Sequence, residues 1–346
     1  QVIDTANNSK VTGHYAEVFR EKDSVIITKW PVAASLQDQD SVFIHSDTLL
    51  VTGKPENRIL RGFYDVRMYK NDMSGKSDSI FVDQQAGITR LININPGENS
   101  ATSVKRNPVL WSGLNQMTGD TIQLISNKET EQVDSLRVFN NAFLINKDSI
   151  EGYNQIKGQR LIGTFNENND LDKVDILKNA ESIFYATNED GELIGIDKGY
   201  SANLLLTFED GDILTFTRIL NPDAELTPEP DMPEKERILQ GFEWRETERP
   251  LSVEDLFSED APVDLPKIEG LKDAVEGEEF FDEALLKRVE DANKFAEDKE
   301  LIKEDEVGKA SRAIPEKPLL IDIIEADKAL DSLPEKPVLK TVKPKK

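Results

Sequence analysis

The stretch Met117-Thr-Gly119-Asp-Thr-Ile122-Gln-Leu124 decides the fold, because variants of it recur along the first half of the chain. The others are Val11-Thr-Gly13-His-Tyr-Ala16-Glu-Val18, Ile44-His-Ser46-Asp-Thr-Leu49-Leu-Val51, Ile156-Lys-Gly158-Gln-Arg-Leu161 and a looser Met73-Ser-Gly75. Their starts at 11, 44, 73, 117 and 156 are 29 to 44 residues apart. This pattern is typical of one supersecondary unit stacked several times, each unit covering the apolar face of its neighbour.

Each unit predicts two β-strands joined by a polar turn. In the fourth unit the apolar residues Leu136, Val138, Ala142 and Leu144 fall on one face, as in a sheet that is packed on one side. Asp190-Gly191 and Asp210-Gly211, each between two apolar runs, predict β-hairpins. We therefore expect an all-β repeat domain over residues 1–220.

The composition changes after this domain. Residues 221–233 carry four prolines, and we interpret 221–258 as a proline-rich linker in which Ile238–Trp244 adds a final strand. Residues 259–346 are expected to form an acidic, low-complexity tail that is largely disordered, since 254–306 hold twenty Asp and Glu against seven Lys and Arg. Apolar residues at helical spacing predict an amphipathic helix over Phe280–Ala296. The tail either only solvates the chain or docks on a partner through the helix and a doubled Pro-Glu-Lys-Pro motif.

Charge and composition exclude several classes of function. The net charge of −24 argues against nucleic acid as a partner and against electrostatic adhesion to anionic lipid. The chain has no cysteine, so neither disulfides nor thiolate metal sites contribute. It contains no apolar run of about 18 residues, and we expect residues 1–5 to belong to a folded domain and not to a signal peptide.

No set of residues predicts catalysis. A Ser or Thr nucleophile normally needs a positioned base, and the only histidines are His14 and His45, both at polar positions of the repeat. The segment Asn166–Asp172 resembles a calcium loop, but Leu171 and Leu177 stand where such a loop needs Gly and Glu. We expect a protein that is not an enzyme and uses no metal or cofactor.

The candidate functional residues are apolar. They alternate along the fourth and fifth units, so we expect them to line the interior between opposed sheets, either as ordinary core or as a groove for acyl chains. They are Ile122, Leu124, Leu136, Val138, Ala142, Leu144, Leu161, Phe165, Val174, Ile176, Ala180 and Phe184. About twelve methylenes at roughly 0.8 kcal/mol each would contribute on the order of 10 kcal/mol per acyl chain, before ordering costs.

The repeats, together with Gly152-Tyr-Asn-Gln-Ile-Lys-Gly158 and Gly241-Phe-Glu-Trp-Arg245, resemble the OstA-like (LptA-like) lipopolysaccharide-transport proteins, and most of all their long multi-repeat form. The resemblance covers residues 1–258, and the chain looks like the C-terminal half of such a protein. It implies an open β-jellyroll in the periplasm, associated with the outer membrane. Its implied partners are lipopolysaccharide or its lipid A, other β-jellyroll transport proteins that pair end to end, and the outer-membrane translocon.

We therefore expect a non-enzymatic bridge that carries lipid along an apolar β trough toward the outer membrane. The alternative is a structural adaptor of an outer-membrane assembly complex, which recruits other proteins through its sheet edges and its acidic tail. The interior separates the two, because a carrier needs a continuous trough and an adaptor a filled core.

Overall fold

The computed structural model describes residues 2–263 apart from 5–7, 36–40, 95–106, 128–131, 148–151, 167, 169, 189–190 and 210. All of them belong to the first of two compact units of the chain, residues 1–296. The tail beyond residue 263, with its predicted disorder, the predicted helix Phe280–Ala296 and the doubled Pro-Glu-Lys-Pro motif, lies outside the described residues.

The described residues contain β-strands and short 3-10 helices and no α-helix, which confirms the all-β prediction. The strands are β1 Val2–Asp4, β2 Ser9–Thr12, β3 Tyr15–Phe19, β4 Ser24–Thr28, β5 Val32–Ser35, β6 Val42–His45, β7 Thr48–Thr52, β8 Ile59–Lys70, β9 Met73–Asp83, β10 Ile88–Ile92, β11 Val109–Ser112, β12 Asn115–Thr118, β13 Thr121–Ser126, β14 Val133–Lys147, β15 Tyr153–Phe165, β16 Leu171–Thr187, β17 Leu193–Glu209, β18 Asp212–Ile219 and β19 Asp223–Thr227. The 3-10 helices are Arg20–Lys22, Pro55–Asn57, Glu229–Asp231, Glu234–Glu236, Glu246–Glu248 and Glu254–Phe257.

The strands pair antiparallel into one sheet that is folded into two facing half-sheets. The front half-sheet has the strand order β3-β4-β7-β8-β9-β10-β13-β14-β15-β16-β17-β18. The rear half-sheet has the order β1-β2-β5-β6-β8-β9-β11-β12-β14-β15-β16-β17-β19. The long strands β8, β9 and β14 to β17 run through both. The predicted hairpins β16–β17 and β17–β18 are confirmed.

The line along which the sheet folds, here called the spine, is built from sharp corners in the chain. Where the chain passes from the front to the rear half-sheet, pairs of consecutive residues adopt left-handed backbone conformations with φ between 47° and 64°. The pairs are Lys29–Trp30, Tyr64–Asp65, Asn140–Asn141, Lys178–Asn179 and Leu220–Asn221. This conformation costs roughly 1–2 kcal/mol per L-residue and least for Asn, so the pairs must be held in place by the packed sheets on either side.

The sequence repeat marks the opposite corners of the spine, where the chain returns from the rear to the front half-sheet. A Cβ added at Gly13, Gly119 or Gly158 would lie 2.3 to 2.5 Å from a side-chain carbon of the adjoining strand, which is closer than real Cβ contacts come. Glycine is needed there because neighbouring strands cross closely at the corner. The looser copy at Met73 is different, since it lies inside β9 ahead of the point where that strand changes half-sheet.

Between the half-sheets lies one continuous apolar core. It takes residues from both half-sheets, from Val11 and Ile27 near the first strands to Leu206 and Phe208 in β17. Residues that alternate with these along each strand point to the two outer faces. Folding the sheet at the spine therefore buries one face of nearly every strand against the same sheet.

Residues 229–263, here called the strap, run back across the outer face of the rear half-sheet. One group of strap residues packs on apolar residues of β14, β16 and β17, and a second group packs on β5, β6 and β8. The first group is Met232, Leu239, Phe242 and Trp244, and the second is Val253, Leu256 and Phe257. The strap thus covers the rear outer face from β17 back to β5.

Two glutamines at the same position of successive repeats hold the strap backbone. Gln116 donates from Nε2 to the carbonyl oxygen of Glu243 at 2.7 Å and accepts from the amide of Arg245 at 2.7 Å. Gln155 donates to the carbonyl oxygen of Arg237 at 2.9 Å and accepts from the amide of Leu239 at 2.9 Å. Each buried amide thus satisfies both of its polar atoms on the strap.

The strand expected at Ile238–Trp244 is wrong. The last strand, β19, comes earlier at Asp223–Thr227 and pairs with β17, whereas Ile238–Trp244 lies in the strap without strand pairing. The backbone groups of this segment bond to glutamine side chains instead of to a neighbouring strand, and its apolar residues pack on the sheet from outside. The division of the chain at residues 220 and 258 stays a prediction.

Candidate lipid-binding interior

All twelve predicted groove residues lie in the interior between the half-sheets. Eleven are buried, with exposures from 0% to 4%, and Phe165 is partly buried against them. Cross-strand pairs connect them, as Val138 of β14 lies opposite both Ile122 and Leu161. Whether these residues contact lipid stays a prediction, since their position equally fits an ordinary core.

The interior is not filled evenly. Between the earlier strands lies a cavity of about 360 Å³, within the range of about 300–1,000 Å³ found for small-molecule pockets. Its apolar walls come from β2, β5, β6, β8 and β9 of the rear half-sheet and from β7, β8, β9, β13 and β14 of the front one. The apolar lining residues whose side chains face the interior are Val11, Ala33, Val42, Ile44, Val51, Leu60, Met68, Met73, Val82, Leu124 and Val133.

Sequence reasoning missed most of this cavity. Leu124 is the one predicted groove residue among the residues that line it. Val11, Ile44 and Val51 belong to the repeat motif and alternate in the same way as the residues of the later units, so the same pattern would have nominated them. The small side chain of Ala33 was the available signal that this part of the interior holds space.

Polar residues lie at the side of the cavity opposite the spine, where the strands end. Arg58 precedes β8 in the front half-sheet, and Asp83 ends β9 there. In the rear half-sheet Lys70 ends β8, and its Nζ lies 3.0 Å from Asp72 Oδ1. An apolar chamber with charged residues at its strand-end side has the chemistry to hold an amphiphile.

The last strands close the interior. Arg218 of β18 reaches from the front half-sheet to the rear one, where it forms an ion pair with Asp197 and donates to Ser182 Oγ at 2.8 Å. Beside this pair the rings of Phe216 and Phe184 stack with centroids 4.0 Å apart. Phe184, predicted as a groove residue, therefore packs against a front-sheet aromatic ring at the closed end of the interior.

The two histidines have different surroundings. His45 is buried, with Nδ1 2.7 Å from the carbonyl oxygen of Pro31 and Nε2 2.9 Å from Asp260 of the strap. His14 packs edge-on against Trp30 at a centroid distance of 6.1 Å. Among the residues that the structure describes, no three or more of His, Asp and Glu come together as a metal site.

Carboxylates near the strap have perturbed pKa values. Burial, followed by the negative charges of Asp65 and Asp260, raises the pKa of Asp47 beside the spine. Arg245 lowers the pKa of Glu248 by donating hydrogen bonds from Nε and Nη2 at 2.7 and 2.8 Å, against the opposing effect of burial. The Glu248 shift thus accompanies an ion pair within the strap, whereas the Asp47 shift reflects burial and the repulsion of like charges.

Comparisons with known proteins find only a weak structural similarity. No protein-family model matches the chain, and no curated protein matches it. Among solved structures it is similar to LptH of Pseudomonas aeruginosa, described as the LptA homologous periplasmic component of the conserved lipopolysaccharide transport device. The match is 13% identical with a TM-score of 0.32, and it covers 46% of this chain and 99% of LptH. A likeness at this level is too weak to assign a function.

The described residues contain no helix with the length and apolar character needed to cross a bilayer.

Proposed function

We propose that this chain is a non-enzymatic lipopolysaccharide-binding bridge of the periplasm, which holds acyl chains between its half-sheets and passes lipid toward the outer membrane. The observation that carries the proposal is the cavity of about 360 Å³ whose walls come from both half-sheets. It provides an apolar chamber inside the part of the chain that carries the repeats.

The chemistry of the chamber supports an anionic amphiphile as the ligand. Its walls are aliphatic, and burying an acyl chain there gains roughly 0.8 kcal/mol per methylene before ordering costs. Arg58 and Lys70 lie on opposite half-sheets at the strand-end side of the chamber. Phosphate groups of lipid A would bind these two cations in exchange for the nearby carboxylates of Asp72 and Asp83, while the acyl chains enter between the sheets.

Passage of lipid beyond the cavity requires the half-sheets to move apart, because side chains fill the interior between β14 and β17. The twelve predicted groove residues would become the lipid contacts as the sheets separate at the side opposite the spine. Flux would be driven by an energised partner elsewhere, since the proposed role of the chain is passive.

End-to-end pairing is the proposed route to partners. The edge strands among the described residues are β1 and β3 at one end and β18 and β19 at the other, each paired on one side alone. Apolar side chains are exposed on them, with Val18 at 60% and Leu214 at 60%. Such edges accept further strands, which fits other β-jellyroll transport proteins and the outer-membrane translocon as neighbours.

A structural adaptor of an outer-membrane assembly complex is the second candidate. The filled interior around β14 to β17 and the Arg218–Asp197 closure favour it. In that case the edges would recruit partners, and the cavity would hold no lipid.

Photo-crosslinking in cells that contain lipopolysaccharide distinguishes the two candidates. A crosslinking residue at Val51, which lines the cavity, should capture lipopolysaccharide. The same residue at Leu50, the adjacent position on the outer face, is the matched control and should capture none. Equal capture at both positions, or none at Val51, would contradict the carrier, and mass spectrometry of co-purified lipid identifies the ligand.

A further inference from the structure

A row of arginines crosses the outer face of the front half-sheet. Arg61 of β8 lies opposite Phe81, Phe81 lies opposite Arg90 of β10, Arg90 lies opposite Gln123, and Gln123 lies opposite Arg137 of β14. The residues beside them along each strand belong to the interior core, so alternation places the whole row on the outer face. We call these five residues the arginine row.

The positive charges of the row are not neutralised by carboxylates of the described residues. The guanidinium carbons of Arg61 and Arg90 lie 5.2 and 5.6 Å from the ring centroid of Phe81, one on each side of it along the row. Arg90 Nε donates to Gln123 Oε1 at 2.8 Å, and Arg137 Nε is buried without a hydrogen-bond partner among the described residues. The ion pairs within the described part of the chain include none of the three arginines. Three arginines without a carboxylate partner among the described residues are unexpected in a protein with a net charge of −24.

Apolar side chains flank the row on both sides. They lie on the same outer face in the neighbouring register positions and are half-buried: Ile59, Phe63, Ile88, Ile92, Ile125, Phe139, Ile162 and Leu177. A face that combines aliphatic area with unneutralised arginines has the chemistry to bind an acidic amphipathic segment.

The strap ends beside this face. Its described part ends at Val263, and Trp30 Nε1 donates to the carbonyl oxygen of Ala261 at 3.2 Å. Trp30 belongs to the corner of the spine that joins β4 of the front half-sheet to β5 of the rear one. The chain therefore leaves the strap at the boundary of the front half-sheet, two strands or roughly 10 Å from β8 and six strands or roughly 29 Å from β14.

The residues that follow have the complementary chemistry. Residues 264–283 hold eight Asp and Glu against two Lys, and Phe281, Leu285 and Val289 fall at helical spacing. A helix over Phe280–Ala296 would be about 25 Å long, and the arginine row spans four strand spacings, or roughly 19 Å. The carboxylates of the segment are opposite in charge to the arginines of the row. The length of the helix is comparable with the length of the row.

We propose that residues 264–296 dock on the arginine row of their own chain, with the carboxylates against Arg61, Arg90 and Arg137 and the apolar stripe against the flanking aliphatic residues. Because the segment is tethered at the spine, its effective concentration at the row exceeds that of any acidic segment from another molecule. The strap and residues 264–296 would then lie on opposite outer faces of the folded sheet.

The absence of cysteine makes a direct proximity test available in the full-length chain. Ser135→Cys on the outer face beside Arg137, combined with Leu285→Cys, should give an intramolecular link with a short bismaleimide. The matched control pairs Leu285→Cys with Glu225→Cys, an exposed position on β19 at the rear edge. We expect the linked fraction to be about tenfold higher for the Ser135 pair and to fall to the control level in high salt.

Charge exchange identifies the arginine row as the site. The triple variant R61E/R90E/R137E and the triple variant E276K/E278K/E279K should each reduce the link to the control level, and combining the two sets should restore it. If the first variant fails to fold, as judged by its melting transition, R61Q/R90Q/R137Q removes the charge without repulsion and should also reduce the link. No excess over the control, an excess that survives loss of the arginines, or a link formed between two chains would each overturn the proposal, and the last would assign the row to a second copy.

Discussion

The same sequence repeat builds two different interiors: the one around the cavity holds empty space, and the one around β14 to β17 is filled. Both lie between half-sheets joined at the same spine, and both place alternate apolar residues inside. Around the cavity the rear half-sheet contributes the small side chain of Ala33, and space remains. In the later part the strands run unbroken through both half-sheets, and residues such as Leu136 and Ile176 are fully buried. Side-chain volume, together with whether the strands run unbroken, thus distinguishes a unit that encloses a chamber from one that encloses a core.

The largest expected effect comes from truncating one residue in each region. Leu136→Ala removes a fully buried side chain from the filled part and should lower the free energy of unfolding by about 2–5 kcal/mol. Leu60→Ala removes a partly buried side chain that already borders empty space, and should cost about 1 kcal/mol. Urea unfolding of both variants measures the difference. Equal losses would mean that the two regions are packed alike.

Enlarging a side chain should again cost more stability in the filled region than beside the cavity. Ala142→Leu adds volume to a filled site and should cost about 1–3 kcal/mol by overpacking. Ala33→Leu adds the same volume to the cavity wall and should leave stability unchanged or raise it by about 0.5–2 kcal/mol. The second variant should also reduce lipid capture by a crosslinker at Val51. Destabilisation by Ala33→Leu, with capture unaffected, would argue against an empty chamber.

The smallest effect concerns the strap behind these regions. The pKa of Glu248 is lowered by Arg245, so its contribution to stability is present above the ordinary value of 4.5 and is lost as the pH falls through the lower value of the folded state. Glu248→Gln should cost about 0.5–1 kcal/mol at pH 7 and flatten this acid dependence. Melting curves at pH 7 and below 4.5 measure both. A variant that keeps the wild-type acid slope would assign the slope to other carboxylates.

The fold class was predictable because it rests on local signals. Period-two alternation and the Asp-Gly turns fix strands and hairpins between neighbouring residues, and the same alternation placed all twelve groove residues inside. The corners were less accessible, since pairs such as Lys29–Trp30 carry no obvious turn residue and are held by the surrounding sheets. The strap was missed because contacts such as Leu239 with Gln155 join distant parts of the chain and leave no period in the sequence.

The cavity depends on side-chain volume, which alternation does not encode. Alternation tells which way a side chain points, whereas empty space depends on the summed volume of residues from two half-sheets. Val51 and Ala33 lie on different strands of opposite half-sheets and border the same chamber. Their meeting follows from the fold at the spine, which the sequence indicates only through its repeated corners.

The strap also governs how the molecule should come apart. An array in which each unit touches only its neighbours frays from its ends and melts in steps. Here Arg67 of β8 donates to the carbonyl oxygen of Leu256 at 2.6 Å, while Gln155 of β15 holds Leu239 in the same strap. Because the strap binds both early and late strands, unfolding of the sheet at one end also breaks strap contacts at the other end. The strap therefore turns a linear array into a single cooperative unit.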